Sequence, residues 1–367
     1  MFKPTKRKYK ALGINIYGGG FTLGVMKHFE VIGQWEEIKL GYRTFDMNFQ
    51  GIYRPLNLSE WPVKETRGKV DLIYANPPCV PWSSASIGGK RTGQINERVG
   101  GKTREDRFRD PLLMLTKTTM EAALEIRPKI FVSESVENAY NVGVSHYEPY
   151  KKAWLRLGYA VTYFLTDATI HGAPCMRRWF HFIAHQPKLQ LPKPPILKQP
   201  VTVRDTIGDL LNRPFDEDRR YGFQHHETSV GRFAHPEFRW TLSACQPGRR
   251  LREITSQPGY EGPKASLLMR RLKWDRPAAT IVRFSPMVHP DGKRFVTWRE
   301  GLRLLTYPDT FNTAGEIDAA DAVMPIIADF LGGVMKRSLD KNESAKPEFN
   351  VVDWRPLGKH LAINAKP

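Results

Sequence analysis

Cys79 directly follows Pro77 and Pro78 at the end of an apolar run, and Glu134 follows a second run of the same pattern. The prolines stiffen the backbone ahead of the thiol, giving a rigid position from which sulfur could be aimed at a substrate. A lone cysteine is most often an inert small hydrophobe, but an acid placed directly after a buried strand is poorly explained by packing. Two chemistries suit such a pair. A thiol can add to C6 of a cytosine ring and so make C5 nucleophilic, provided that an acid protonates or hydrogen bonds N3. A thiol can also open an acyl bond, which normally needs a histidine base, and no histidine is tied to Cys79 by pattern. With Cys175 and Cys245 the cysteines are odd in number and widely spaced. That suggests neither a disulfide framework nor a CxxC zinc site, and no metal is expected.

The elements that must position these residues are short. Leu12 to Tyr17 reads as a strand running into Gly18-Gly19-Gly20 and then a helical stretch from Phe21 to His28. Val70 to Ala75 is a second strand, leading into Asn76-Pro77-Pro78-Cys79. Lys129 to Ser133 is a third, preceded by a helix over Leu112 to Ile126. Strands alternating with helices imply a parallel α/β sheet, whose ligands bind at the carboxyl ends of the strands, where the glycines, Cys79 and Glu134 all fall. The triple glycine is weak evidence alone, since it is more often a plain turn. Pro187 to Pro200 is rich in proline and lysine, like a linker. The stretch from there to about Arg271 is rich in Arg, His and aromatics, like a separate domain. Helical periodicity returns over Trp298 to Leu305 and Ala322 to Met335, so the C-terminal part is expected to complete the sheet domain.

Lys and Arg outnumber Asp and Glu 56 to 38 in 367 residues, a net charge of +18 that favours a polyanionic partner, nucleic acid first. The first twelve residues read as a basic arm, and Ser84 to Asp110 as a glycine-rich basic loop. No apolar run approaches the length that crosses a bilayer and no signal-peptide pattern is present, so a cytoplasmic protein without membrane contact is expected.

Several of these segments, in order, resemble the cytosine-C5 DNA methyltransferases. Asn15-Ile16-Tyr17 with Gly19-Gly20-Phe21 resembles the family's first cofactor motif, and Trp35-Glu36-Glu37 with Asn48-Phe49 its second. Asn76-Pro77-Pro78-Cys79 resembles the nucleophile motif and Glu134-Ser135-Val136 the Glu-Asn-Val motif. Pro174-Cys175-Met176-Arg177-Arg178 resembles the arginine motif. Trp274-Asp275-Arg276-Pro277, Thr280-Ile281, Arg299-Glu300, Arg303-Leu304 and Tyr307-Pro308-Asp309 resemble the ninth motif and its approach. Gly332-Gly333-Val334 stands for the tenth.

The resemblance implies an S-adenosylmethionine-dependent enzyme that methylates C5 of a cytosine flipped out of double-stranded DNA, as in restriction-modification systems. It implies a Rossmann-like mixed sheet with helices on both faces and a smaller inserted target-recognition domain. The corresponding division is 1–186 and 273–345 for the catalytic domain, 187–272 for the insert and 346–367 for a tail. Catalytic roles fall to Cys79, Glu134 and Arg177. Cofactor contacts fall to Tyr17, Gly18, Gly19, Gly20, Phe21, Glu36, Glu37, Asn57, Leu58, Asn76, Pro78, Leu112, Gly333 and Val334, with Glu36 on the ribose hydroxyls. The loop at 84–110 would close over the DNA. Three alternatives share these motifs: C5 alkyl transfer from a modified cofactor, an RNA cytosine methyltransferase, and a silent DNA-binding homologue.

Overall fold

The computed structural model describes residues 1–3, 5–36, 42–49, 51–56, 60–79, 82, 112–195, 197–210, 235–265, 269–281, 287–313, 320–358 and 361. Strands β1 (Lys10–Ile14), β2 (Glu30–Glu36), β3 (Tyr53–Pro55), β4 (Leu72–Ala75), β5 (Ile130–Val136), β6 (Ala160–Asp167), β7 (Arg178–His185) and β8 (Phe349–Asp353) form one sheet. Their order across it is β3-β2-β1-β4-β5-β7-β6-β8. Neighbours are parallel except around β7, which runs antiparallel to both β5 and β6. The expected mixed α/β sheet is therefore the fold. Helix α1 (Gly20–Val25) leads from β1 towards β2, with α2 (Tyr42–Asn48) and α3 (Val63–Thr66) following. Next come α4 (Leu112–Ile126), α5 (Glu137–Asn141) and α6 (Val144–Arg156).

Successive residues of the central strands point to opposite faces, and both faces are covered, which is why these strands read as unbroken apolar runs. Ala11, Leu72, Tyr74 and Val132 join a core with Phe21, Phe45, Leu331 and Met335. Leu12, Ile14, Ile73 and Phe131 join another with Met120, Tyr147 and Trp154. The return of the chain to the sheet domain is carried by α10 (Trp298–Leu304) and α11 (Pro325–Lys341), the latter packed along α1.

The proline- and lysine-rich stretch beginning at Pro187 is not detached. Lys188 and Gln190 donate backbone amides to the Glu343 carbonyl at 2.6 Å and Ser338 Oγ at 2.9 Å. Val203, Ile207 and Leu210, on and just beyond α7 (Val203–Ile207), lie in the main core. A small separate core gathers Phe238 and Leu242 of α8 (Pro236–Ala244) with Leu251, Met269, Val288 and Phe295. The smaller unit thus draws on residues near 288–295 as well as 235–269. The segment expected to be a C-terminal tail instead supplies β8, parallel to β6, and buries Trp354 edge-on to Phe164 at 5.0 Å. That strand is short and almost wholly exposed, which hid it from a search for apolar runs.

The ninth-motif residues act as structure. Thr297 and Glu300 cap α10 reciprocally, and Arg294 clasps Glu300 with two bonds of 2.8 and 2.7 Å. Asp309 is shared by Arg299 at 2.8 Å and by Arg303 at 2.6 Å through both its oxygens, while Arg303 also reaches Asp209. The Arg303 hydrogen bonds hold the Asp309 carboxyl well below the usual carboxylate range, so its stabilisation is present at neutral pH and lost in acid. Asp309→Asn is expected to cost about 2 kcal/mol, the range for a hydrogen bond to a charged group since Asp309 is only half-buried, as a lowered midpoint in urea unfolding at pH 7.

Candidate active site

Three parallel strands end side by side at one edge of the sheet: β1 turns into Gly18-Gly19-Gly20, β4 into Asn76 and Cys79, and β5 carries Glu134 near its end. Because β1 leads to β2 on one side and β4 on the other, this edge is the switch point where α/β sheets form their crevice.

Glu134 is 3% exposed, and the Asn76 side-chain amide donates to its Oε2. Burial pushes the carboxyl up to about 8, against the pull of the Arg177 guanidinium and the Asn76 bond. It is a protonated acid at neutral pH. Cys79 is half-buried as a residue, and burial of its thiol, with Glu134 second, likewise pushes it up to about 12, while Arg177 opposes that shift. Arg177 is half-buried. Its Nη1 donates to the Ala320 carbonyl, and its guanidinium lies 5.3 Å from the Trp179 ring centroid. The three expected catalytic residues are thus electrically coupled in one place: a protonated thiol, a protonated acid and a fixed cation.

Glu36 ends β2 beside the glycine turn, buried, and accepts the Ile16 amide and Gln34 Nε2, the latter at 2.6 Å. Burial pushes it too up to about 8. Tyr17 holds a left-handed backbone, φ 57°, and its buried phenol is raised by burial first and Cys79 second, with Asp321, Glu36 and Glu134 following. It is thus within electrostatic reach of both Cys79 and Glu36.

Gly19 has φ 94°, and a Cβ there would overlap Phe49; one at Gly20 would overlap the Val323 carbonyl and Tyr307 hydroxyl. Packing within the protein therefore accounts for both glycines. Phe21 is fully buried against Tyr74 at 5.1 Å, which makes it a core residue rather than part of the cleft wall. Asn76 is committed to Glu134, and Pro78 is buried ahead of Cys79. Leu112 opens α4, half-buried. Glu37, Asn57, Leu58 and the loop 84–110 lie outside the described residues.

The tenth-motif resemblance misplaces Gly333 and Val334. They lie in the middle of α11, where a Cβ at Gly332 would come 2.8 Å from His28 Cδ2 and one at Gly333 3.3 Å from Arg337. Glycines in the helix satisfy its packing on α1 and the residues after it. The stretch that reaches the site is the turn before the helix, where Ala320 holds Arg177, Val323 meets Gly20, and the Asp321 charge acts on Cys79, Tyr17 and Tyr307. Asp321 and Tyr307 were missed as site residues. The available signal was an acid between the Tyr307-Pro308-Asp309 motif and the next helix.

Among the described residues no three His, Cys, Asp or Glu side chains are grouped to hold a metal, and no helix is long and apolar enough to cross a membrane.

The chain is similar to the type II methyltransferase M.PspPI of a Psychrobacter species, 27% identical over 68% of this chain and 58% of that protein. It is 24% identical to M.AplI of Arthrospira platensis, over 90% of this chain and 86% of the other. In fold it resembles an E. coli prophage protein described as a DNA modification methyltransferase, with a TM-score of 0.65 at 17% identity, covering 91% of this chain and all of that one. The Dnmt2 methyltransferase of S. pombe follows with a TM-score of 0.53 at 11% identity, over 91% of this chain and all of its own. The sequence model of the C-5 cytosine-specific DNA methylases matches residues 14–324, and the chain belongs to that family.

Proposed function

We propose that the protein transfers a methyl group from S-adenosylmethionine to C5 of a cytosine in double-stranded DNA through a covalent bond to Cys79. The observation that carries this reading is the pairing of a buried, protonated Glu134 with the Cys79 thiol beside Arg177. A neutral acid at pH 7 is what N3 of cytosine requires, and a carboxylate with an ordinary pKa would supply it to only a small fraction of molecules.

The residues at the strand ends fit the cofactor. The Glu36 carboxyl beside a glycine turn suits a ribose diol, and Tyr17 is within electrostatic reach of both it and Cys79. When bound, the cofactor supplies an electrophilic methyl on a sulfonium. The chain does the rest. Cys79 gives its proton to water and its sulfur adds to C6, while Glu134 donates its proton to N3, so that no charge accumulates on the ring. Arg177, fixed on Ala320, lowers the cost of the thiolate and steadies the ring. After C5 has taken the methyl, water removes the C5 proton, the Cys79–C6 bond breaks, and N3 returns its proton to Glu134. Asn76 keeps the carboxyl aimed throughout.

Nucleosides from the DNA of cells expressing the protein should contain 5-methylcytosine by mass spectrometry, and Cys79→Ala should abolish the signal. A heavier C5 adduct would identify a different alkyl donor, and cytosine unmodified by the wild type would contradict the proposal. Because attack needs the Cys79 thiolate together with the Glu134 acid, kcat/KM should rise with pH and stop rising at about 8, where Glu134 loses its proton. Glu134→Gln should lose roughly 10²–10⁴-fold in kcat and go on rising through that pH.

Glu36 titrates at about 8 in the fold against an ordinary 4.5, so the unfolded chain ionises first and stability is lost as pH climbs from 4.5 to 8. Glu36→Gln should therefore raise the thermal midpoint of the ligand-free protein at pH 8.5, less so at pH 5, while calorimetry finds weaker binding of S-adenosylmethionine. A lower midpoint at pH 8.5 would show that the carboxyl is not held neutral.

A further inference from the structure

Behind the arginine motif lies a second concavity. Its volume is about 290 Å³, and Arg249, Arg250, Arg270, Arg271, Lys273 and Arg276 line it. Against these six cations the described lining holds one acid, Glu253, which lies 3.0 Å from Arg249 and is half taken up by it. Some of the cations have structural duties. Arg271 donates to the Pro290 and Cys245 carbonyls at 2.8 and 2.9 Å, and a Cβ on Gly248 would press on the Lys273 stem. Arg276 does not share them: its Nε and Nη1 are buried without a hydrogen-bond partner, although its carbonyl holds the Val203 amide at 2.9 Å.

Concentrating guanidinium groups in this way costs self-repulsion, and burying donors unsatisfied costs more. Both costs are relieved by an anion whose oxygens can accept several N–H groups at once, which a phosphate does.

The position of the pocket identifies which phosphate. Its wall includes Met176, whose amide donates to the Ala278 carbonyl at 2.9 Å and whose carbonyl accepts from Thr280 Oγ1 at 2.6 Å. The arginine motif is thereby zipped onto residues 278–280, two beyond Arg276. Arg177, the next residue and about 3.8 Å away along the chain, turns to the other side and reaches Ala320 in the active site. One segment thus presents an arginine to the base site on one side and a wall of the cationic pocket on the other.

We propose that this pocket, with Arg250 and Arg276 as its free donors, grips a backbone phosphate of the substrate strand next to the target nucleotide. The inference rests on the DNA-methyltransferase reading and adds to it the place where the strand is held. Such a contact carries no sequence information and sets register instead, placing the target base over Arg177 and Cys79. The described lining contains no aromatic ring and the partner surface is a phosphodiester, so the contact is independent of which base is read.

The test measures duplex DNA affinity by fluorescence anisotropy from low to moderate salt for the wild type, Arg250→Gln with Arg276→Gln, and Arg276→Lys, on target and unrelated duplexes. Circular dichroism and S-adenosylhomocysteine affinity serve as checks of the fold. The double variant should keep that affinity and lower the slope of log K against log salt by about 0.9 for each phosphate it no longer neutralises, equally on all duplexes. KM for DNA should rise with kcat nearly unchanged, and Arg276→Lys should keep most of the slope. An unchanged slope in a folded double variant, with duplex still bound by the wild type, overturns the pocket alone. A wild type that ignores duplex overturns the underlying reading too. Should Arg276→Gln disrupt the fold, Arg250→Gln alone carries the same slope test.

Discussion

A carboxyl group and a thiol buried together at the edge of a sheet constrain everything around them. Water would ionise Glu134, and ionised it would oppose the thiolate of Cys79; excluded from water, both keep their protons until a substrate arrives. The cost of burying them is met by geometry. Asn76, the first residue beyond β4, hydrogen bonds the acid held in β5, so two neighbouring strands must stay in register for the acid to be satisfied. Arg177 supplies the opposing charge, and it stays in place only because the C-terminal part of the chain brings the Ala320 carbonyl to it.

That last dependence explains the connectivity. The strand ends come from the first half of the chain, while the support comes from residues beyond 270. Tyr307 and Val323 close over Gly20, α11 lies along α1, and residues 278–280 zip to the arginine motif. The ninth-motif ion pairs, far from the chemistry, hold α10 and so fix where that support stands. Charge is arranged on two scales. Within the cleft Glu36 and Glu134 are kept neutral, and outside it guanidinium groups accumulate beside the same segment.

The sheet was legible in the sequence because its central strands are buried on both faces and so read as apolar runs. Helix α4 was delimited as it stands for the same reason, its apolar spacing being strong. Cys79 and Glu134 were singled out by their chemistry and by motif order, Arg177 by motif order alone, and the fold brings the three into electrostatic reach of one another. β8 was not legible, since its side chains are mostly exposed and its pairing with β6 is a long-range fact. Gly333 and Val334 misled because a pair of glycines in a helix looks like a ligand turn when only letters are compared; the space they leave is filled by His28 and Arg337. Phe21 misled in a related way, as its ring turns into the core against Tyr74. Asp321 escaped because a single acid in a polar stretch has no pattern, and its position depends on how the chain returns. The proline- and lysine-rich stretch after Pro187 suggested a linker by composition, yet its backbone amides are spent on the end of α11.

The central claim is that Cys79 bonds covalently to a cytosine that Glu134 has made electrophilic. Duplex DNA carrying 5-fluorocytosine tests it most directly, because fluorine at C5 cannot leave as a proton does and the adduct is trapped. Incubated with the cofactor, the wild-type protein should give a denaturant-resistant protein–DNA species whose peptide mass places the nucleotide on Cys79, and Cys79→Ala should give none. A wild-type protein that binds and methylates the unfluorinated duplex yet forms no such species, or one that attaches through another residue, would contradict the account.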